Sequence, residues 1–316
     1  AMMEYTQLGG MPISAIGFGC AAMGGYDYGA ADDAESIDAV HAAIDNGINF
    51  FDVADIYGLG HAEDVLGRAL AGRRDKVRVA TKFGLVSRAG RTERDASATH
   101  IAAAVEISLQ RLGIDVIDLY QLHWPDPRTP FAETAEALQR CRDAGKIRGA
   151  GVCNVTLPQA KQMNELLPLA SVQAPFNLLC RGVETDLLPW CRAEGITALA
   201  HSSLARGFLA PAARTIDGTD TRRRSRYFAG ENEAEKRAVR DAVSAIAKSR
   251  GISEAAVAVR WVLDRGADCA LVGIRNRGQL DAQLGAVGWS LDENEMNGLL
   301  DASSRCPGVM TEELAQ

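Results

Sequence analysis

Short continuous apolar runs alternate along the chain with longer amphipathic stretches of helical period. The runs are AIGFG (15–19), INFFDV (48–53), VRVAT (77–81), VIDLYQL (116–122), IRGAGV (147–152), ASVQA (170–174), ITALA (196–200) and ADCALV (267–272). Strands buried on both faces read as unbroken apolar runs rather than as alternation. Between them lie helical patterns over 34–46, 63–71, 98–112, 131–144, 157–166, 184–194 and 254–264. Gly47, Gly72, Gly113, Gly145 and Gly195 stand where these patterns stop, the position of a C′ glycine. Eight strand-and-helix units in one uninterrupted chain predict an α/β protein, a closed (β/α)₈ barrel. A doubly wound sheet is the rival, and it wants G-x-G-x-x-G after its first strand. The segment found there, GFGCAAMGG, has glycines at 17, 19, 24 and 25, the wrong spacing, and a Walker loop is absent too.

Two segments stand outside the repeat. YTQLGGMPIS (5–14) reads as a hairpin with a glycine turn, able to plug one mouth of the barrel. Residues 206–235 form a long irregular insertion after the seventh strand, a length that in a compact domain marks a functional lid or disorder. No linker composition divides the chain, so residues 1–316 are read as one barrel domain. With 34 Lys+Arg against 41 Asp+Glu the net charge is −7, which argues against nucleic acid or an anionic membrane as partner. No apolar run approaches the roughly 18 residues of a membrane span, and the start AMMEYTQLGG lacks the pattern of a signal peptide. Seven cysteines (20, 141, 153, 180, 191, 269 and 306) include no C-x-x-C pair, which fits reduced thiols and not a zinc site. A cytoplasmic location and a monomer are the expectations.

The chemistry of a (β/α)₈ enzyme sits at the carboxyl ends of its strands. Run two ends on Asp52, followed by Asp55 and Tyr57; run three on Thr81 and Lys82; run four on Gln121 and His123. Run five ends on Cys153 and Asn154, run six on Gln173, and run seven on His201, Ser202 and Ser203. A phenol of pKa near 10 is a poor proton donor at neutral pH. A neighbouring Lys ammonium favours phenolate and lowers that pKa, and an Asp holds the Lys charged. Asp52, Tyr57, Lys82 and His123 on three consecutive strands therefore make Tyr57 a tuned general acid for an oxygen that gains negative charge, such as a carbonyl receiving hydride. Aldolases and isomerases also use Lys, His and Asp in barrels, so the residues alone leave the reaction open. A metal-dependent hydrolase needs clustered His and carboxylate ligands. Of five histidines only His123 and His201 end strands, so no metal is expected.

The segments FDVADIYGLGHAEDVLGRAL (51–70), VATKFG (79–84), DLYQLHWPDP (118–127), GKIRGAGVCN (145–154), LAHSSLARGFL (199–209) and VGIRNRGQLDAQLGAVGW (272–289) resemble the aldo-keto reductases over essentially the whole chain. Closest in style are the bacterial general-stress and inositol-operon-associated members. The resemblance implies a barrel with an N-terminal hairpin and two extra helices, and a nicotinamide cofactor lying extended across the mouth. It implies a tetrad of Asp52, Tyr57, Lys82 and His123, with Tyr57 as proton donor, Lys82 lowering its pKa, Asp52 pairing with Lys82 and His123 orienting the carbonyl. Gly19 and Cys20 would lie beside the cofactor. Asn154 and Gln173 would hold its carboxamide, with Cys153 where serine is commoner. Ser202, Leu204 and Arg206 would meet the pyrophosphate, and Gly273, Arg275, Gln279 and Gln283 the adenosine phosphate end. A 2′-phosphate prefers a planar guanidinium, so Arg275 beside a helix N-terminus predicts NADP(H) over NAD. The arginine run at 222–226 would place a lid over the pyrophosphate.

Two positions depart from the pattern. His201 stands where relatives carry an aromatic that stacks on the nicotinamide, and an imidazole of pKa near 6.5 would bias affinity toward the reduced cofactor as pH falls. Ser203 replaces the usual proline. The substrate walls are expected from Met23, Tyr26, Tyr28, Phe83, Leu85 and Trp124. The expected activity is NADPH-dependent reduction of a small aldehyde or ketone. The alternatives are an NAD(P)-dependent dehydrogenase of a sugar or alcohol, and a cofactor-sensing binding protein.

Overall fold

The computed structural model describes residues 2–25, 28–210, 222, 225–228 and 232–306. All eight apolar runs are strands of one closed parallel barrel: β3 (Ile16–Gly19), β4 (Phe50–Asp52), β5 (Arg78–Phe83), β8 (Ile117–Leu122), β9 (Ile147–Cys153), β10 (Ser171–Pro175), β11 (Thr197–His201) and β12 (Cys269–Gly273). The strands follow one another around the barrel in chain order, and β12 closes it on β3 through Ala270↔Ile16 to Gly273↔Gly19. Around the strands lie α1 (Asp33–Asp45), α2 (His61–Leu70), α3 (Ala98–Leu112), α4 (Phe131–Asp143), α5 (Leu157–Leu166), α6 (Leu187–Glu194), α8 (Glu254–Asp264) and α9 (Arg277–Leu284). Two further helices, α7 (Glu233–Arg250) and α10 (Glu293–Ser304), pack on each other, with α7 also against α8. Local chemistry sets the helix starts. Asp32, Ser97, Ser253 and Asn276 each accept a backbone N–H of the first turn, and Thr156 with Gln159 and Asp292 with Glu295 form capping boxes.

The expected hairpin is β1 (Tyr5–Leu8) paired antiparallel with β2 (Met11–Ser14), turning at Gly9 and Gly10, both left-handed. It closes the amino-terminal mouth. Leu8 and Ile13 are fully buried against Phe50, Ala80, Leu119, Leu199, Cys269 and Leu271, and Thr197 Oγ1 donates to the Gln7 carbonyl (2.7 Å). Access to the barrel is thereby confined to the carboxyl end of the strands. A second hairpin, β6 (Leu85–Arg88) with β7 (Arg91–Arg94), rises directly from β5 and lies outside the sequence expectation.

Candidate active site

Asp52 is the last residue of β4, and Lys82 points inward one residue before the end of β5. Both are buried, at 4% and 1% exposure. Lys82 Nζ donates to Asp52 Oδ1 (2.5 Å) and to the Val53 carbonyl (2.9 Å), and lies 3.4 Å from Tyr57 Oη. The other Asp52 oxygen accepts from Gln121 Nε2 (3.1 Å) and Gln173 Nε2 (3.0 Å). Gln173 also donates to Gln121 Oε1 (3.2 Å), and the Cys153 thiol faces the same oxygen (3.6 Å). The barrel strands β4, β5, β8, β9 and β10 thus each add one polar group to a connected floor under the mouth, with the buried ammonium at its centre.

Tyr57 opens a short helical turn, Tyr57–Gly60, and its ring meets His123 edge-on at 5.8 Å. Gly58, Leu59 and Gly60 behind it are all left-handed. A Cβ on Gly58 would stand 2.4 Å from the Gly24 carbonyl oxygen, so the loops after β3 and β4 cross here backbone on backbone. Arg111 braces the turn. Its guanidinium reaches the Leu59 carbonyl (3.5 Å) and the fully buried Glu63 (3.4 Å), which in turn accepts from Thr81 Oγ1 (2.6 Å) beside Lys82. The His123 amide donates to the Phe83 carbonyl (2.8 Å), while its Nδ1 is buried without a partner among the described residues.

Burial disfavours the Lys82 ammonium, but the Asp52 carboxylate beside it outweighs that and holds the lysine well above its ordinary range. Burial pushes the Tyr57 phenol up, against the pull of Lys82. Lys82 lowers the phenol as expected, but burial outweighs it and the net shift is upward. Burial, then the charge of Lys82, drives His123 well below 6.5. Near neutral pH the site holds an ammonium, a neutral phenol and a neutral imidazole around one opening. Such a set is chemically able to pass a proton from a phenol to an oxygen becoming negative. Among the described residues no group of His, Cys, Asp and Glu could hold a metal ion.

The model of the Aldo/keto reductase family matches residues 15–303. The chain belongs to the aldo-keto reductase family. It is 40% identical over 311 residues to the aldo-keto reductase YhdN of Bacillus subtilis (strain 168), covering 95% of this chain and 94% of that one. Among solved structures it is similar to the glycerol dehydrogenase AKR11B4 from Gluconobacter oxydans, with a TM-score of 0.87 and 38% identity over 96% of both chains. It also resembles the holo form of the aldo-keto reductase AKR11C1 from Bacillus halodurans, with a TM-score of 0.78 and 25% identity over 95% of this chain and 96% of that one. An aldo-keto reductase is an oxidoreductase of carbonyls and alcohols, and the barrel described above is its fold.

Around this aldo-keto reductase mouth the remaining expected residues divide. Gly19, Cys20, Asn154, His201, Ser202 and Gly273 all stand at the carboxyl ends of barrel strands, and Leu204 and Arg206 follow in the turn after β11. Arg275 is 7% exposed and donates to the Tyr28 carbonyl (2.8 Å), tying the loop after β12 to the loop after β3. Gln279 Oε1 caps the Arg275 amide (2.9 Å). Gln283 donates to the Gly273 carbonyl (3.3 Å), and its Oε1 is buried without a partner among the described residues. Arg222 lies over the Tyr28 ring (5.4 Å) and donates to the Arg206 carbonyl (3.1 Å), so part of the insertion reaches the mouth. Arg223, Arg224 and Tyr26 lie outside the described residues.

Three pocket expectations need correction. Phe83 follows inward-facing Lys82 and so faces outward, fully buried against Tyr120 (4.8 Å). Met23 is fully buried in the same core. Leu85 lines a separate cavity of about 230 Å³ with Asp55, Leu59, His100, Ile107 and Arg111. Trp124 is half-buried, with the Arg94 guanidinium of the second hairpin 5.2 Å from its ring. The expected titration of His201 near neutrality is overturned as well: burial, with Lys82 and Arg206, lowers it to about 3. Sequence reasoning also left out Gln121 as a donor to Asp52, although it ends the fourth run, and the Glu63–Arg111 brace, whose partners are 48 residues apart.

Proposed function

We propose that this aldo-keto reductase reduces a small aldehyde or ketone with NADPH, Tyr57 giving the proton. One observation carries the reading: a buried Lys82 ammonium lies between Asp52 and the Tyr57 hydroxyl, with a neutral His123 edge-on to the phenol. When bound, the nicotinamide supplies hydride to the carbonyl carbon. Tyr57 donates its proton to the carbonyl oxygen, and the adjacent ammonium stabilises the phenolate left behind. Asp52, held by Gln121 and Gln173, keeps that ammonium in place. His123 orients the carbonyl.

The residues around the mouth fit such a cofactor. Gln283 keeps a buried oxygen without a partner among the described residues, and a Cβ on exposed Gly273 would meet nothing within 4 Å. Ser202, Ala205 and Arg206 adopt left-handed backbone with side chains that disfavour it, a strain typical of ligand clamps. Ser202, Leu204 and Arg206 would hold the pyrophosphate and Arg275 the 2′-phosphate. Arg275→Ala raises the KM for NADPH far more than that for NADH; equal effects reject the clamp.

A second reading is favoured by the similar glycerol dehydrogenase: oxidation of a small polyol, the same residues acting in reverse. A cofactor-sensing role is the third. In each, residues 1–316 work as one monomeric barrel in the cytoplasm on a small molecule. NADPH oxidation followed near 340 nm against aldehydes, ketones and dicarbonyls, beside NADP⁺ reduction with polyols, separates them. Turnover in the first assay supports the reductase and turnover confined to the second the dehydrogenase. Tight cofactor binding with neither leaves the sensor.

A further inference from the structure

His201 ends β11 with each ring nitrogen beside a named polar atom. Nε2 lies 2.8 Å from Asn154 Oδ1 and Nδ1 lies 3.1 Å from Ser202 Oγ. The orientation of the Asn154 amide is fixed by its far end, because Nδ2 donates to the His123 carbonyl (2.9 Å). Oδ1 therefore faces the imidazole and can only accept, so Nε2 carries the proton, and in the neutral ring Nδ1 accepts from the Ser202 hydroxyl. Burial and two nearby cations keep the ring neutral. The residues it holds are unusual: Asn154 (φ 56°) and Ser202 (φ 54°) both have left-handed backbone. One imidazole thus spans from β11 to the end of β9 and, through Asn154, to the loop that carries His123.

We propose that His201 is a positioning residue, locked as the neutral Nε2–H tautomer, that presents the Asn154 amide to a primary carboxamide such as that of nicotinamide. Two of the amide's four hydrogen-bonding positions are used by His201 and His123. One N–H and one lone pair remain, the complement of a carboxamide. The inference deepens the proposed NADPH site and rests on it. It differs from ring stacking because the nitrogen, and not the ring face, does the work.

The test compares His201→Phe, His201→Gln, Asn154→Ala and the His201→Phe/Asn154→Ala double variant with wild type, by NADPH binding and by kcat and KM. A lost hydrogen bond at this site corresponds to about tenfold weaker NADPH binding in His201→Phe. His201→Gln, which keeps an N–H donor, recovers most of it, and the double variant binds no more weakly than Asn154→Ala alone. His201→Phe binding as tightly as wild type, or a loss that adds fully to that of Asn154→Ala, overturns the proposal. ¹⁵N spectra of the histidines give a readout that needs no cofactor. A His201 signal of the Nε2–H form, unchanged from about pH 5.5 to 8, is expected, and titration in that window overturns the lock. A wild-type protein that binds no NADPH refutes the NADPH reading, while the spectra still decide the tautomer.

Discussion

The two ends of the barrel are built from the same strands and solve opposite problems. At the amino-terminal end the β1–β2 hairpin brings Leu8 and Ile13 onto Phe50, Leu119, Leu199 and Leu271, an apolar cluster edged by the Thr197–Gln7 hydrogen bond. At the carboxyl-terminal end, a few residues along those strands, the interior holds Asp52, Lys82, Gln121 and Gln173 in one hydrogen-bonded floor. An apolar plug stabilises by burial and tolerates no water. A buried ion pair is weak support for stability, because desolvation offsets most of its attraction. The contrast separates a closed end that holds the barrel together from an open end kept polar for chemistry.

Lys82→Met is the largest way to break the comparison. It removes the ammonium beside Tyr57 and lowers kcat by about 10²- to 10⁴-fold, read in the carbonyl reduction assay. Pairing it with Asp52→Asn removes the orphaned charge and restores the thermal midpoint without restoring turnover. Leu8→Ala at the other end gives the mirror result. Chemical denaturation shows a loss of about 2–5 kcal/mol, and the folded fraction keeps the wild-type kcat and KM. A plug variant that altered KM would mean the two ends are coupled.

Arg111→Ala tests the brace behind the turn that carries Tyr57. Without it Glu63 is buried with no counter-charge and the left-handed Gly58–Leu59–Gly60 segment loses an anchor. The expected result is a kcat lower by about tenfold with cofactor affinity unchanged, on the scale of a small misplacement of a catalytic group. Arg111→Lys recovers part of it.

The effect at Asp55 is read from stability alone, as a pH dependence. Burial and then the nearby Glu63 raise its carboxyl to about 8. The folded state thus holds a proton that the unfolded chain releases near pH 4. Its stabilising share is full below about pH 4 and is lost as pH rises towards 8. Asp55→Asn consequently raises the thermal midpoint more at about pH 8 than at about pH 5; equal shifts at both would show that Asp55 ionises normally.

The barrel was legible because its strands are buried on both faces, so each reads as an unbroken apolar run, and Gly113 and Gly195 punctuate the helices at left-handed caps. Asp52, Lys82 and His123 were legible for the converse reason, as polar groups ending such runs. Phe83 faces away from the mouth because Lys82 faces into it and neighbours on a strand point opposite ways, a parity its apolar character alone does not reveal. The second hairpin, LVSRAGRTER, carries little apolar signal because it is mostly exposed or half-buried, and only Ala89–Gly90, both left-handed, marked its turn. α7 was obscured because its sequence runs out of the irregular insertion. The neutrality of His201 depends on its burial and on the charge of Lys82, which lies on another strand, and no local pattern encodes either.

The most direct test of the open end is a single turnover of Tyr57→Phe carrying bound NADPH. The account predicts that the variant binds NADPH as wild type does and oxidises it at least about 10³-fold more slowly with a carbonyl substrate. A variant that binds NADPH and turns over at the wild-type rate would contradict Tyr57 as the proton donor, and with it the reading of the buried Lys82 and Asp52 as the parts that serve it.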